Sequence, residues 1–207
     1  MNAFQQANTI LIDLPECVLT THHSSPDSYR DITHYSLLMH IILETPRLIL
    51  RRFTEADAPL LHQLNGDPEV VKYVHEPTLK NDEEALQVLI NIILPQYQAG
   101  LGRWAIHTKD NNEFIGWCGL KYLKEEDEID LGYRLHQSAW GKGFATEAAK
   151  YTLAYGFSQL NLEEIVGKAH IENIGSINVL QKIGMQFIKE VAEDNERVKV
   201  FMAVNPL

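Results

Sequence analysis

The sequence predicts an α/β fold built around a mixed β-sheet. In some segments apolar and polar residues alternate, which is the period of a strand, and in others apolar residues recur every three or four positions, which is the period of a helix. These segments follow one another in the order β-α-α-β-β-β-α-β-α-β-β. Interleaved strands and helices are typical of the α/β class, and 207 residues are enough for one domain with a full core.

The first predicted elements are a strand and two helices. The strand contains Leu48, Leu50 and Phe53, and Thr54 follows it as the N-cap of a helix, with Asp57 at the capping-box position. The apolar residues of that helix are Ala58, Leu60, Leu61 and Leu64, and turn residues 65–68 end it. A second helix is predicted over residues 82–98, where Pro95 kinks it or ends it early. Its expected buried residues are Ala85, Leu89, Ile92 and Ile93.

The later elements alternate between strands and helices. Strands over residues 104–108 and 113–123 are joined by a turn at 110–112, and a third alternating segment covers 129–135. The helix predicted over 144–160 carries an apolar stripe of Phe144, Ala148, Tyr151, Tyr155 and Leu160. The pattern closes with a strand over 164–170, a short helix over 173–185 with Gly184 near its end, and a hairpin of strands at 186–191 and 197–204.

Two glycines, Gly141 and Gly143, lie between the third of these strands and the helix that follows it. A glycine-rich turn that leads into a helix presents free backbone N–H groups, which together with the helix dipole favour a bound anion, usually a phosphate. The spacing is not that of a Walker A loop, and Thr146 stands where the dinucleotide fingerprint requires a third glycine. Taken alone, two glycines at this spacing also fit an ordinary turn.

Three ordered segments decide between these interpretations. The motif Arg/Gln-x-x-Gly-x-Gly/Ala aligns with Trp140, Gly143 and Ala145, with tryptophan in the Arg/Gln position. The motif Asn-x-x-Ser followed by Glu/Gln-Lys-x-Gly-Phe is matched, apart from Met185 in the Phe position, by Asn173, Ser176, Gln181, Lys182 and Gly184. Residues 43–51 read Leu-Glu-Thr-Pro-Arg-Leu-Ile-Leu-Arg. From about Met39 to the C-terminus, the chain therefore resembles the Gcn5-related N-acetyltransferases (GNAT), in the branch of the ribosomal-protein N-terminal acetylases.

The resemblance implies a single-domain fold in which a mostly antiparallel sheet, flanked by helices, is splayed at an acetyl-CoA site. Acetyl-CoA would be the donor, and a primary amine, either a protein N-terminal α-amine or a small-molecule amine, would attack it directly. Residues 65–74, including Asp67, Glu69 and Tyr73, fall where the family has its acceptor loop. The expected cofactor-binding residues are Leu135, Trp140, Gly141, Lys142, Gly143, Phe144, Ala145, Thr146 and Asn173.

Direct transfer needs one group that removes a proton from the ammonium and another that assists the departing thiolate. Some branches of the family place a proton-donating tyrosine seven residues after the asparagine, but here that position is Leu180. The resemblance therefore assigns the thiolate to Ser176, whose alternative role is to bond to its own helix backbone. Asn173 is expected to orient the pantetheine arm or a bound water, to act as an N-cap, or to do both. Asp130 is the first candidate for the base; the other candidates are Glu128, His107, His136 and His170.

Composition limits the classes of partner. The formal charge of −10 argues against a broad nucleic-acid surface and suits a cationic acceptor. Two cysteines, Cys17 and Cys118, make no disulfide framework, and Cys118 is expected to be a small core residue. Neither a membrane span nor a basic signal-peptide region is recognised, so a cytoplasmic location is expected. No metal site is predicted, the amine acceptor is the expected partner, and a homodimer is kept as a hypothesis.

The first 38 residues differ in composition from the rest, with a polar, turn-rich segment at 20–28. We predict an N-terminal extension over 1–38 followed by an acetyltransferase domain over 39–207; the alternative is that Met39 is the true initiator. A second functional hypothesis is a non-catalytic acyl-CoA-binding or regulatory module. The replaced Arg/Gln, the absent tyrosine and the unassigned base keep that alternative open.

Overall fold

One mixed β-sheet organises the described part of the chain. The computed structural model describes residues 40–74, 76–193 and 196–206, so the predicted extension at 1–38 lies outside the described residues. The described strands are β1 (Ile41–Glu44), β2 (Leu48–Arg52), β3 (Gly102–Thr108), β4 (Phe114–Leu123), β5 (Glu128–Leu135), β6 (Glu164–His170), β7 (Gln186–Glu193) and β8 (Glu196–Val204). Their order in the sheet is β1-β2-β3-β4-β5-β6-β8-β7, and all neighbours among them are antiparallel except β5 and β6. The predicted class, a mixed and mostly antiparallel sheet flanked by helices, is confirmed.

The beginning of the sheet differs from the prediction of a single first strand. Residues 41–52 form a hairpin of β1 and β2, in which the Thr45 amide donates to the Leu48 carbonyl at 2.9 Å. Pro46 lies in the turn, where its lack of an N–H group costs no ladder hydrogen bond. The hairpin brings the turn residues Thr45 and Arg47 to the edge of the site described below.

The first helix is capped as predicted. Helix α1 (Ala58–Asn65) follows a 3-10 turn (Glu55–Asp57), and the Asp57 carboxylate accepts from the Thr54 amide at 2.7 Å. Arg51 of β2 binds the same carboxylate with two hydrogen bonds of 2.8 and 2.7 Å. A short helix not predicted from the sequence, α2 (Pro68–Val71), comes next and is capped by Asp67.

The second predicted helix forms but changes its winding. Helix α3 (Asp82–Val88) continues as a π-helical segment (Leu89–Ile93) and then as a 3-10 segment (Leu94–Ala99) that contains Pro95. A wider turn ahead of a proline accommodates the missing N–H group and rotates the side chains that follow. The expectation that Ile92 is buried is therefore wrong, because 48% of its surface is exposed, whereas Ala85, Leu89 and Ile93 are buried as predicted.

Helix α4 (Phe144–Ser158) begins at the predicted residue, and most of the predicted apolar stripe packs against the core: Ala148 is buried, and Phe144, Tyr155 and Leu160 are partly buried. Tyr151 was expected in the apolar stripe and is 38% exposed. The buried residues are mostly small ones, namely Ala148, Ala149, Thr152 and Gly156, together with Leu153. A Cβ at Gly156 would lie 2.6 Å from Ile165 Cδ1, so the helix backbone packs directly on the sheet. The last described helix is α5 (Ile174–Lys182), which is shorter than the predicted 173–185 and ends before Gly184, whose φ is +93°.

The two faces of the sheet carry separate apolar clusters. One face packs against α4 and α5 through residues such as Trp104, Leu131 and Ile177. The other face packs against α1 and α3, with Ala105 and Phe114 contributed by the sheet. Cys118 is fully buried in the first cluster as a free thiol, as predicted. None of the helices in the described parts of the chain is both long and apolar enough to cross a membrane.

Candidate active site

The glycine-rich turn connects β5 to α4 and is fastened at its start. Gly141 and Gly143 have φ values of +73° and +81°, the left-handed conformation that glycine adopts without strain. The indole Nε1 of Trp140 donates to the Leu135 carbonyl at 2.8 Å. Tryptophan in the position of the family's Arg/Gln therefore holds the turn against the end of β5.

The turn presents backbone amides at the N-terminus of α4. The Glu147 amide donates to the Gly143 carbonyl at 3.0 Å, which leaves the amides of residues 144–146 without an intrahelical acceptor. Gly141, Lys142 and Gly143 are exposed. Free amides at the positive end of a 15-residue helix form a site for an anionic group such as a pyrophosphate.

A second anchor holds the turn from the β1–β2 hairpin. The Glu147 carboxylate accepts from the Thr45 hydroxyl at 2.6 Å, the Arg47 amide at 2.9 Å and Arg47 Nε at 2.6 Å. Arg47 Nη1 also donates to the Lys142 carbonyl at 3.1 Å, and the guanidinium lies 4.5 Å from the centre of the Phe144 ring. This anchor is not predictable from the sequence, because about a hundred residues separate its partners and neither shows an unusual local pattern.

The anchor keeps Glu147 ionised. Burial by itself raises the pKa of this carboxyl, but hydrogen bonds from Thr45 and Arg47, together with the guanidinium charge, hold its pKa below the usual value. The carboxylate charge is thus already paired with groups of the protein itself. Glu147 therefore fixes the turn and leaves its amides to a ligand.

The sheet opens beside this turn. The pairing described between the parallel strands β5 and β6 is limited to Asp130 opposite Val166. No further pair between β5 and β6 is described toward the C-terminal ends of the two strands, and the space between those unpaired ends is called the seam below. A single described pair between β5 and β6 agrees with the prediction of a sheet splayed next to the glycine-rich turn.

On the face covered by α4 and α5, the seam is bordered by Asn173, Ser176 and Tyr133. Asn173 is the N-cap of α5, where its Oδ1 accepts from the Ser176 amide at 3.0 Å. The phenol of Tyr133, on β5, donates to Ser176 Oγ at 3.1 Å. The hydroxyl of Ser176 is thus engaged across the seam. Burial raises the pKa of Tyr133 to about 12, so the phenol stays protonated at neutral pH.

On the opposite face, Asp130 lies at the closed end of the seam. Its Oδ2 accepts from Arg103 Nη2 at 2.6 Å, and both side chains are only about one-eighth exposed. Arg103 also donates to the Gly119 carbonyl at 2.8 Å. Glu128, the alternative base, lies 4.0 Å from the Lys168 ammonium. Both acidic candidates therefore already have cationic partners.

The open end of the seam on that face holds His170, the last residue of β6. Its ring stacks on Tyr73 at 5.4 Å between ring centres, and Nε2 lies 2.9 Å from a Glu196 carboxylate oxygen. Nδ1 accepts from the Glu172 amide at 3.2 Å, which assigns the ring proton of the neutral form to Nε2. These residues line a cavity of about 350 Å³ together with Lys72 and Val74.

The other candidate histidines lie away from the seam. His136 follows β5 on its β4 side and lines a cavity of about 440 Å³ with Asp67 and Glu113. Burial lowers the pKa of both His136 and His107. His107 is enclosed near the turn at 110–112 and bonds to the Asn112 carbonyl at 3.2 Å. The structure therefore groups His170, and neither of the other two, with the opening of the sheet.

The expected site residues fall into three groups. The turn and first helical turn contain Trp140, Gly141, Lys142, Gly143, Phe144, Ala145 and Thr146. Ser176 and Asn173 border one face of the seam, and Asp130 lies at its closed end on the other face. Leu135 directs a buried side chain into the core and offers its carbonyl to Trp140. Across residues 40–74, 76–193 and 196–206, no three His, Cys, Asp or Glu side chains come together as a metal site.

Comparison with known proteins places the same segment in one family. A family model described as an acetyltransferase (GNAT) domain matches residues 47–186, from the anchor arginine to the start of β7. An uncharacterized N-acetyltransferase p20 of Bacillus licheniformis is 36% identical over 159 residues, which cover 76% of this chain and 88% of that protein.

Solved structures with the same fold come from proteins named for different acceptors. Spermidine N-acetyltransferase of Vibrio cholerae, in complex with CoA and spermine, aligns with a TM-score of 0.65 at 20% identity, covering 76% of this chain and 95% of that one. Ribosomal-protein-S5-alanine acetyltransferase of Vibrio fischeri aligns with a TM-score of 0.69 at 18% identity, covering 79% and 96%. At these identities the alignments show the shared fold.

Proposed function

Because the chain belongs to the GNAT acetyltransferase family, we propose that it transfers the acetyl group of acetyl-CoA to a primary amine by direct attack of the amine nitrogen. The observation that carries the proposal is the anchored amide turn at the N-terminus of α4, immediately beside the seam. A phosphate site and an opening in the sheet at one place match the two parts of an acyl-CoA, a pyrophosphate and a long arm. Acetyl-CoA supplies the activated acetyl thioester.

The turn would hold the pyrophosphate through backbone amides of residues 141–146, with Lys142 as charge support and Thr146 Oγ1 as a further donor. The arm would then enter the seam between β5 and β6. Asn173, fixed as the cap of α5, borders that path. Tight anchoring by Arg47 and Glu147 sets the amides before the ligand arrives, which lowers the ordering cost of binding.

The acceptor is proposed to approach from the opposite face, through the cavity lined by Tyr73 and His170. Glu172 and Glu196 place two carboxylates there, and carboxylates favour an amine that arrives as an ammonium ion. A polyamine and a peptide N-terminus both meet this requirement. The acceptor assay therefore contains both.

The ammonium must lose a proton before it can attack. Asp130, predicted as the base, is engaged by Arg103. His170 lies nearer the open end, and its Nε2–H donates to Glu196. The lone pair on Nδ1 accepts from the Glu172 amide at 3.2 Å, so His170 acts as base when the incoming amine or a water takes the place of that amide. A carboxylate that orients a histidine in this way stabilises the imidazolium formed when the ring takes up a proton. We therefore favour His170 over Asp130 as the base, with the proton passing directly or through water.

The first experiment measures melting temperature with acetyl-CoA, with ATP and NAD as controls. A ligand present at 100 times its Kd adds about 2.7 kcal/mol of stability. Stabilisation by acetyl-CoA alone supports the proposal. Equal stabilisation by ATP would point to a general phosphate site, and the absence of any shift with acetyl-CoA would overturn the proposal.

The second experiment follows release of CoA and acetylation of spermidine and of a short peptide with a free N-terminus. His170→Gln and Asp130→Asn are compared with the control His62→Gln. His62, on α1, is a matched residue because it also pairs with a carboxylate, that of Asp82 on α3, at 2.7 Å. We expect His170→Gln to lower kcat at least tenfold and the control to leave it unchanged. A loss confined to Asp130→Asn would return the role of base to Asp130.

One observation favours the second candidate function, a module that binds acyl-CoA without turnover. The carboxylate predicted as the base is held by an ion pair at the closed end of the seam. The two functions differ in one result: the module would be stabilised by acetyl-CoA but would release no CoA with either amine.

A further inference from the structure

Tyr133 and Ser176 form a hydrogen bond that spans the seam. Tyr133 is on β5, whereas Ser176 is in the first turn of α5, which follows β6. The phenol oxygen and Ser176 Oγ are 3.1 Å apart, with the phenol as donor. The bond therefore joins the two borders of the gap that the sheet leaves open, on the face covered by α4 and α5.

This bond determines where the serine proton can point. A hydroxyl has one proton to donate and two lone pairs to accept with, and one lone pair of Ser176 is taken by Tyr133. The Ser176 amide is occupied by Asn173 Oδ1 at 3.0 Å. The serine O–H is therefore directed away from Tyr133, and a donor that is itself a hydrogen-bond acceptor is polarised and donates more strongly.

The position of Ser176 suits a developing negative charge. It lies in the first turn of a nine-residue helix, where the helix dipole stabilises anions and lowers the pKa of thiols. Leu180, in the position where some family members have tyrosine, is 2% exposed in the core and has no proton to give. A tyrosine, Tyr133, nevertheless borders the seam. It lies on strand β5 instead of on α5, and its phenol contacts the Ser176 hydroxyl.

We propose that Tyr133 is a positioning residue that aligns Ser176 Oγ–H toward the sulfur of the departing CoA, a role that rests on the proposed function. As the amine nitrogen bonds to the carbonyl carbon and the carbon–sulfur bond breaks, the electron pair goes to sulfur. Ser176 donates a hydrogen bond to that sulfur and keeps its proton. The nitrogen, which gave one proton to the base on the other face before it attacked, loses a second proton to solvent as the amide forms. The thiolate later takes its proton from solvent.

The test measures the thiol pKa of bound CoA from its ultraviolet thiolate absorbance against pH, which requires no acceptor and no turnover. The variants are Tyr133→Phe, Ser176→Ala and the double variant. Tyr122→Phe is the matched control, because Tyr122 is an exposed tyrosine on β4 that bonds to Asp127. Circular dichroism and the Kd for CoA establish that each variant is folded and loaded.

In the wild type we expect the thiol pKa of bound CoA to lie below that of free CoA. Ser176→Ala should raise it by about one unit, a tenfold change in ionisation. Tyr133→Phe should raise it by about half of that, with little further effect in the double variant and none for Tyr122→Phe. Replacing Tyr133 alone by a fluorinated tyrosine, a stronger donor of the same shape, should lower the pKa, and it serves as the test if the phenylalanine variant does not fold.

Several results would overturn the proposal. A Tyr133→Phe variant with the wild-type thiol pKa would remove Tyr133 from the role. Additive effects in the double variant would mean that the two residues act separately. A wild-type protein that binds CoA with an unshifted thiol pKa contradicts this inference alone, whereas a protein that does not bind CoA contradicts the proposed function as well.

Discussion

A comparison of Gly143→Ala with Gly184→Ala separates the cost of backbone strain from the loss of ligand contact at the glycine-rich turn. Gly143 has φ of +81° and Gly184, outside the turn, has φ of +93°. A Cβ at Gly143 would lie 3.5 Å from Arg47 Nη2, an ordinary contact, and one at Gly184 would meet nothing within 4 Å. Both substitutions therefore cost mainly the left-handed conformation, about 1–2 kcal/mol. In a domain of this size each 1 kcal/mol lowers Tm by about 2–4 °C.

The two variants should differ in their response to acetyl-CoA. At Gly143 the added Cβ stands where the backbone must approach the pyrophosphate, and losing one hydrogen bond to a charged group costs about 1.5–3 kcal/mol, or tenfold or more in Kd. Acetyl-CoA at 100 times the wild-type Kd adds about 2.7 kcal/mol to the wild type but only about 1.4 kcal/mol to a variant with tenfold weaker binding. Gly184→Ala should keep the full increment.

The assay is thermal unfolding with and without acetyl-CoA, supported by calorimetric Kd values. Gly143→Asn adds a third arm, because asparagine tolerates the left-handed region better than alanine does while still carrying a Cβ. It should recover part of the stability and none of the affinity. Equal acetyl-CoA increments in Gly143→Ala and Gly184→Ala would refute the assignment of the turn to the ligand.

Three further predictions concern the anchor, the buried acids and the sheet. Glu147→Gln removes the charge that holds Arg47, whose side chain is 48% exposed. We therefore expect the free energy of unfolding to fall by only about 0.5–1 kcal/mol and calorimetry to show weaker acetyl-CoA binding. Glu164→Gln is the control, because Glu164 is an exposed carboxylate at the start of β6, and it should change neither quantity. Burial raises the pKa of Cys118 to about 11 and of Tyr133 to about 12, so their contribution to stability is complete below the unfolded-state pKa values and is lost as pH rises through the folded ones. Urea unfolding should give a lower free energy at about pH 10.5 than at about pH 8, and an unchanged value would contradict the burial of these groups. Gly119→Ala would put a Cβ 2.0 Å from the Gly102 carbonyl oxygen of β3 and should destabilise by about 3 kcal/mol in chemical denaturation, whereas Gly175→Ala, with its nearest atom at 3.6 Å, should be neutral or slightly stabilising.

The parts of the fold that could be predicted are those controlled by local periodicity. The strand over 164–170, the starts of α4 and β7 and the capping box at Thr54 follow from neighbouring residues, and the structure has them where expected. The errors occur where a distant partner decides. Tyr151 fits an apolar stripe by spacing, but α4 turns its small residues to the sheet because Gly156 must pass close to Ile165.

In the candidate site, too, the continuous motif could be predicted from the sequence and the long-range contacts could not. The glycine-rich turn is a continuous motif, so its residues were found from the sequence. The Arg47–Glu147 anchor and the Tyr133–Ser176 bond join residues that are 100 and 43 positions apart. Ser176 belongs to a recognisable motif, but no local pattern indicates which distant residue it contacts. Asp130 was chosen by its place on a strand, which does not reveal that Arg103 on β3 already binds it.

The most direct test of the central assignment is a titration of isotopically labelled protein with CoA, followed by the backbone amide resonances in nitrogen–proton correlation spectra. We predict that the largest shifts fall on the amides of residues 141–146 and follow a single Kd, and that Ser176 and Tyr133 report the arm in the seam. Largest shifts at the cavity around Tyr73 and His170, or no saturable shift in the turn, would contradict the assignment of the anchored amides as the acetyl-CoA site.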